Sequence, residues 1–204
     1  MNSPKAEPIS VAPAHYQSVA NTLALAFAED PVMAYIFPDA KTRLRRLAGL
    51  MHLALKTYTY NGRIDTFSDG CSAAVWQRPY PAKATLWQLL ANGVEGLLKL
   101  RTCVNRANNV ERAINAAKID QPYWYLAILG TEPAHRGAWQ GGQSRAGLLL
   151  RAVLDGCDQQ QLPAYLESSN AANIGFYNKH GFEITEEITI DGGPSLWGMV
   201  RQPR

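Results

Sequence analysis

The chain has 204 residues and a mass of 22.5 kDa, enough to bury one core, so a single domain over residues 1–204 is expected, with a loose tail over 1–8. A net charge of +3 with 18% charged residues is too weakly basic to argue for a nucleic-acid partner. No apolar run approaches the ~20 residues of a membrane span, and the N-terminus lacks a signal peptide's apolar core.

Three widely spaced cysteines, Cys71, Cys103 and Cys157, make neither a disulfide framework nor a zinc motif. The four histidines have no metal-ligand spacing either. A cytoplasmic protein with no metal and no membrane or nucleic-acid partner is expected.

In chain order, Ile9 to Val11 reads as a short strand and Ala14 to Ala28 as a helix with Val19, Leu23, Ala26 and Phe27 on one face. Asp30-Pro31 breaks it, because proline disfavours helix at the preceding residue and starts the next one. Val32 to Phe37 and Thr42 to Tyr58 follow as helices. Arg63 to Phe67 and Cys71 to Gln77 flank Ser68-Asp69-Gly70 as an antiparallel hairpin. Thr85 to Leu100 and Asn105 to Lys118 read as further helices.

The centre of the chain is a strand, loop and helix. Tyr123 to Gly130 has the apolar, branched and aromatic composition of a buried strand. A turn-rich loop runs to Ser144. Then Ala146, Leu149, Leu150, Val153, Leu154 and Cys157 recur on one helical face. Pro163 to Ser168 is the next strand, and Asn170 to His180 a short helix closed by Gly181. Phe182 to Ile190 and Ser195 to Val200 are the last strands. Hairpins mixed with two strand-helix-strand crossovers imply an α+β fold on a mixed sheet.

A glycine-containing loop at a helix N-terminus offers free N–H groups and a favourable dipole to an anion such as a pyrophosphate. A plain crossover has the same pattern, and spacing does not name the ligand.

Specific motifs go further. Pro133-Ala134-His135-Arg136-Gly137, the Leu149-Leu150 helix, Leu166-Glu167-Ser168-Ser169, Asn173 and Phe176-Tyr177-x-x-x-Gly181-Phe182 resemble the GNAT superfamily of acyl-CoA N-acyltransferases. Within it the chain is most similar to the branch containing puromycin N-acetyltransferase. The likeness extends to Ala26-Phe27-Ala28-Glu29-Asp30-Pro31, Ala74-Val75-Trp76 and Gly193-Pro194-Ser195-Leu196-Trp197-Gly198-Met199.

The resemblance implies a mostly antiparallel sheet of about seven strands flanked by helices, with splayed central strands. It implies acetyl-CoA as acyl donor and a small-molecule primary amine as acceptor, the two meeting in a ternary complex. Cofactor contacts are expected from Leu129, Thr131, Arg136, Gly137, Gly141, Gly142, Ser144, Ala146 and Asn173. The family's loop is shorter: about five extra residues follow Arg136-Gly137 here, and Ser144 and Ala146 stand where its last two small residues fall.

In the resembled family the tyrosine at Tyr177 protonates the departing thiolate. A phenol of ordinary pKa about 10 holds its proton at neutral pH, which suits that role. The alternative is a packed tyrosine anchoring a short helix. Glu167 is the candidate general base, against a capping role, with Asp30 and Glu132 in reserve. Trp76, Trp124, Trp197, Tyr35 and Phe27 are candidate walls for the acceptor.

Two rival readings stand beside this one. Gly142-Gln143-Ser144-Arg145-Ala146 approximates a hydrolase nucleophile elbow, with Glu167 and His180 following in order. A non-catalytic acyl-CoA-binding module is the other.

Overall fold

A computed structural model describes residues 7–80, 103–137 and 139–204. The expected helix Thr85 to Leu100 lies outside the described residues, as do most of the expected tail and Ala138.

The seven strands are β1 (Ile9–Ser10), β2 (Gly62–Thr66), β3 (Ser72–Gln77), β4 (Trp124–Thr131), β5 (Ala164–Ser168), β6 (Glu183–Thr189) and β7 (Ser195–Arg201). They form one sheet in the order β1-β2-β3-β4-β5-β7-β6. Every neighbouring pair is antiparallel except β4 and β5. The helices are α1 (Tyr16–Ala26), α2 (Pro31–Ile36), α3 (Ala40–Asn61), α4 (Val104–Ala117), α5 (Arg145–Gln160) and α6 (Ile174–Lys179). The expected mixed, mostly antiparallel sheet is therefore present. The crossover through α5 puts β4 beside β5. The one through α6 does not put β5 beside β6, because β7 inserts between them.

Side chains alternate across the sheet as strand geometry requires. Ala73 and Val75 point to the face covered by α1 and α3, where they meet Val19, Leu23, Met51 and Leu55. Ala74 and Trp76 point to the other face, covered by α5 through Leu149, Leu150, Val153, Leu154 and Cys157. The helical stripe read from the sequence is thus the buried face of α5. Gly130 is a glycine because α1 lies hard against β4: a Cβ there would come within 2.9 Å of Ala26 Cβ and Leu23 Cδ2.

Two irregularities open the middle of the sheet. Val75 faces Ile128 but Trp76 faces Leu126, so Ala127 is an extra residue that bulges β4. The β4–β5 pairing consists of Trp124 with Ala164 and Tyr125 with Tyr165. Beyond that point the two strands splay apart. No helix among the described residues is long and apolar enough to cross a membrane.

Candidate active site

The splay leaves a cleft of about 460 Å³ between β4 and β5, closed by the start of α5 and by α6. Since β5 stops pairing at Tyr125, alternate backbone groups of β4 from Leu126 onward face the cleft without a strand partner. Leu129, Thr131, Arg136, Gly137, Ser144, Ala146 and Asn173 all line this cleft, together with Glu167 and Tyr177.

Gly141 and Gly142 sit elsewhere. Trp139 N–H donates to Gln143 O at 2.8 Å and Gln143 N–H to Gln140 O at 3.0 Å, forming a miniature hairpin. Gly141 (φ 56°) and Gly142 (φ 76°) are its two corner residues, the backbone such a tight turn demands. Residues 139–143 of the longer loop therefore fold as a hairpin that does not line the cleft. Trp139 anchors it, edge-on to Phe67 at 4.8 Å and beneath the Arg145 guanidinium at 3.9 Å.

Ser144 is the N-cap of α5, its Oγ accepting from Gly147 N–H at 3.1 Å. The N–H groups of Arg145 and Ala146 in the first turn are left for an anion, next to Gly137. Ser144 has an ordinary extended backbone (φ −79°, ψ 158°), not the strained turn of a nucleophile elbow. The Arg136 guanidinium folds back instead, donating to Thr131 O at 3.2 Å and Ala26 O at 3.0 Å. It ties the end of β4 to the end of α1.

Asn173 precedes α6, and its side chain makes no capping bond. Asn170 caps the 3-10 turn Ala171–Asn173 just before α6, accepting from Ala172 N–H at 2.9 Å. The Asn173 amide is thus available at the cleft wall. Tyr177 is buried in α6, held edge-on to Phe176 at 5.2 Å and to Phe182 at 6.0 Å. Burial first, and the nearby Asp30 carboxylate second, raise its phenol well above the usual range. The phenol therefore stays protonated. The helix ends as expected, with Gly181 at φ 87° and Phe182 N–H donating to Tyr177 O at 3.2 Å. His180 closes that turn through Nδ1 and Phe176 O at 2.9 Å.

Glu167 is not a cap. Tyr125 donates its hydroxyl to Oε2 at 2.7 Å, while Oε1 is buried and has no hydrogen-bond partner. Desolvation pushes the carboxyl up to about 7; the Tyr125 hydrogen bond and Lys118 offset only part of that. Since Tyr125 holds the carboxylate, it does not orient His180, and the hydrolase arrangement is not assembled.

Asp30 is the N-cap of α2, accepting from Val32 and Met33 N–H at 3.0 Å each. Ser169 also donates to it, yet burial still raises its pKa. Asp30 lines the cleft; Glu132 is not among its lining residues.

A second cavity of about 1010 Å³ opens on the other side of β4, lined by Met33, Met51, Tyr58, Tyr123 and Tyr125 among others. Phe27, Ala127 and Ile128 line both cavities, so the two spaces meet at the β4 bulge.

Of the five aromatic residues expected around an acceptor, Phe27 lines this space. Trp76 is fully buried beneath α5, and Trp197 packs into the same core. Trp124 donates Nε1–H to Gln160 at 3.3 Å, and Tyr35 donates to Asp191 O at 3.0 Å. Strand position placed the three tryptophans on packed faces, and Tyr35 packs against the core from α2. Tyr125 was missed for the converse reason: as a strand aromatic it reads as core, and only the β4–β5 register brings it to Glu167.

The crystal structure from Corynebacterium glutamicum described as histone acetyltransferase HPA2 and related acetyltransferase matches with a TM-score of 0.64 at 21% identity, covering 98% of this chain and 97% of that one. The fold is the GNAT acetyltransferase fold. A GNAT-type sheet with its central strands splayed was the architecture the motifs implied. Arylalkylamine N-acetyltransferase 2 from Aedes aegypti matches with a TM-score of 0.60 at 12% identity, covering 98% of this chain and all of that one (100%). In sequence, an uncharacterised N-acetyltransferase of Schizosaccharomyces pombe is 24% identical over 202 residues, 92% of this chain and 80% of the relative. No family model matches the chain.

Proposed function

We propose that this protein is an N-acetyltransferase that transfers the acetyl group of acetyl-CoA to a primary amine of a small molecule. The observation that carries the proposal is the splayed β4–β5 cleft, with an unpaired strand backbone on one wall and Tyr177 on the other. A thioester in that cleft would lie against N–H groups suited to a developing oxyanion. Its diphosphate would sit at Gly137 and the first turn of α5, where Ser144 satisfies one N–H and leaves its neighbours free. Asn173 would hold the pantetheine arm.

The amine would enter from the larger cavity and meet the thioester at the β4 bulge. Its apolar and aromatic lining favours an acceptor with an apolar body, and an aromatic wall also suits a cationic amine. A protein of the same fold bears the name arylalkylamine N-acetyltransferase. The likeness to the puromycin N-acetyltransferase branch adds aminonucleosides to the classes worth assaying. Glu167, by way of Tyr125 or a water, would accept the amine's proton. Tyr177 would supply one to the departing thiolate.

The extra loop residues motivated the binding-module reading. Gln140 to Gln143 fold as a hairpin that does not line the cleft, which supports the transferase reading over the module. The test is amine-dependent release of CoA thiol over a broad panel of primary amines, with mass spectrometry of the acetylated product. Binding of CoA, seen as a thermal shift, without turnover of any amine would overturn the transferase reading in favour of the module.

A further inference from the structure

Among the described residues, and apart from the side chains given a role in the reaction above, one cluster of ligating side chains is built by tertiary packing. Cys71 ends the β2–β3 turn, its N–H donating to Asp69 Oδ1 at 3.0 Å. Its carbonyl accepts from Glu132 N–H at 3.0 Å, which pins the turn to the residue following β4. Pro133–His135 then forms a single 3-10 turn that begins on proline, and His135 N–H donates to Glu132 O at 2.9 Å. The turn brings the His135 ring between its two neighbours. Nε2 lies 3.6 Å from Cys71 Sγ, and Nδ1 lies 3.2 Å from Glu132 Oε2. One ligand atom from each of the three residues lies within 4.8 Å of the other two.

We propose that Cys71, Glu132 and His135 form a transition-metal site, best matched to Zn²⁺. Thiolate, imidazole and carboxylate are the ligand set of this borderline ion. Ligands about 2.3 and 2.0 Å from a tetrahedral zinc stand roughly 3.5 Å apart, which is close to the observed sulfur–nitrogen separation. Nε2 is then the metal-binding nitrogen. The Glu132 side chain is 30% exposed, and its carboxylate would turn from Nδ1 onto the ion. Water fills the fourth position. The Arg145 guanidinium nearby does not oppose a cation, because Asp69 Oδ2 already neutralises it at 2.7 Å. His135 also lines the CoA cleft, so the ion would clamp the β2–β3 turn to the rim that carries Arg136 and Gly137.

The experiment uses the full chain, freed of metal by chelation under reducing conditions, and titrated with Co²⁺ and then Zn²⁺. The expected result is a single Co²⁺ equivalent with a thiolate charge-transfer absorption that Zn²⁺ abolishes. Cys71→Ser should remove that absorption and weaken Zn²⁺ binding by at least about tenfold. Glu132→Gln should keep the absorption and weaken binding by about tenfold. Zn²⁺ should also slow alkylation of Cys71 by iodoacetamide in the unaltered protein, a reading independent of how any variant folds. The proposal fails if no thiolate absorption develops, if it survives Cys71→Ser, if Glu132→Gln binds as tightly as the original chain, or if alkylation is indifferent to Zn²⁺.

Discussion

The Tyr125 hydroxyl donates to Glu167 Oε2 at 2.7 Å, at the point where β4 and β5 cease to pair. Tyr125 lines the larger cavity and Glu167 the cleft, so this hydrogen bond spans the wall between them. A proton taken by Tyr125 from the acceptor side can be matched by one passed on to Glu167. Tyr125→Phe leaves the ring packing and breaks the link. We expect kcat to fall about tenfold or more, with the KM for acetyl-CoA little changed. Equal rates in the two proteins would make Tyr125 a packing residue.

Glu167→Gln preserves the shape and removes the proposed base. A general base contributes about 100- to 10,000-fold, and the rate at neutral pH should fall within that range. In the unaltered protein the rate of the proposed reaction should climb as pH rises through about 7, where the buried carboxyl loses its proton. A flat profile between pH 6 and 8 would exclude Glu167 as the titrating base.

The same group has a stability signature of definite sign. Its folded pKa, about 7, lies above the ordinary 4.5, so between these values the folded chain binds more protons than the unfolded one. Stability must therefore decline as pH rises across that window. Glu167→Gln should escape the decline and melt higher than the original protein at pH 8, by up to ~3 kcal/mol in unfolding free energy. Denaturant unfolding at pH 5 and pH 8 checks both the sign and the crossover.

Tyr177→Phe deletes one oxygen from a ring held by Phe176 and Phe182. Folding should be unaffected. The chemical step should slow by about tenfold or more at similar KM for acetyl-CoA, because the proposed proton donation belongs to the transition state. An acyl donor with a more acidic thiol should be slowed less. Normal turnover of acetyl-CoA by this variant would remove Tyr177 from the reaction.

Gly137 and Gly142 should respond differently to bulky substitution. Gly137 (φ 96°) lines the cleft beside the first turn of α5, and its replacement by valine should raise the KM for acetyl-CoA with less effect on kcat. Gly142 lies at the tip of the outward hairpin, and replacement there should cost stability but leave KM alone. Equal KM effects at both sites would place the hairpin in contact with the donor.

Local chemistry wrote much of this molecule into its sequence. The apolar stripe from Leu149 to Cys157 faces the core, the Asp30-Pro31 pair starts α2, Ser68-Asp69-Gly70 turns a hairpin, and Gly181 ends α6. Each depends on neighbours a few residues apart, so periodicity and turn chemistry suffice to read it. The motif likeness added the splayed sheet and nine of the residues that line the cleft, Glu167 and Tyr177 among them. Other features depend on which strand lies beside which, and in what register. The insertion of β7 between β5 and β6, the Tyr125–Glu167 hydrogen bond and the meeting of Cys71 with His135 across 64 positions join segments that carry no local mark of one another. The extra loop residues were visible, but their glycines suit a phosphate cradle and a hairpin corner equally well. Only the cross-strand bonds of Trp139, Gln140 and Gln143 decide between the two. Backbone conformation follows from residue type, whereas the partner of a backbone or side-chain group is settled by the packing of the whole chain.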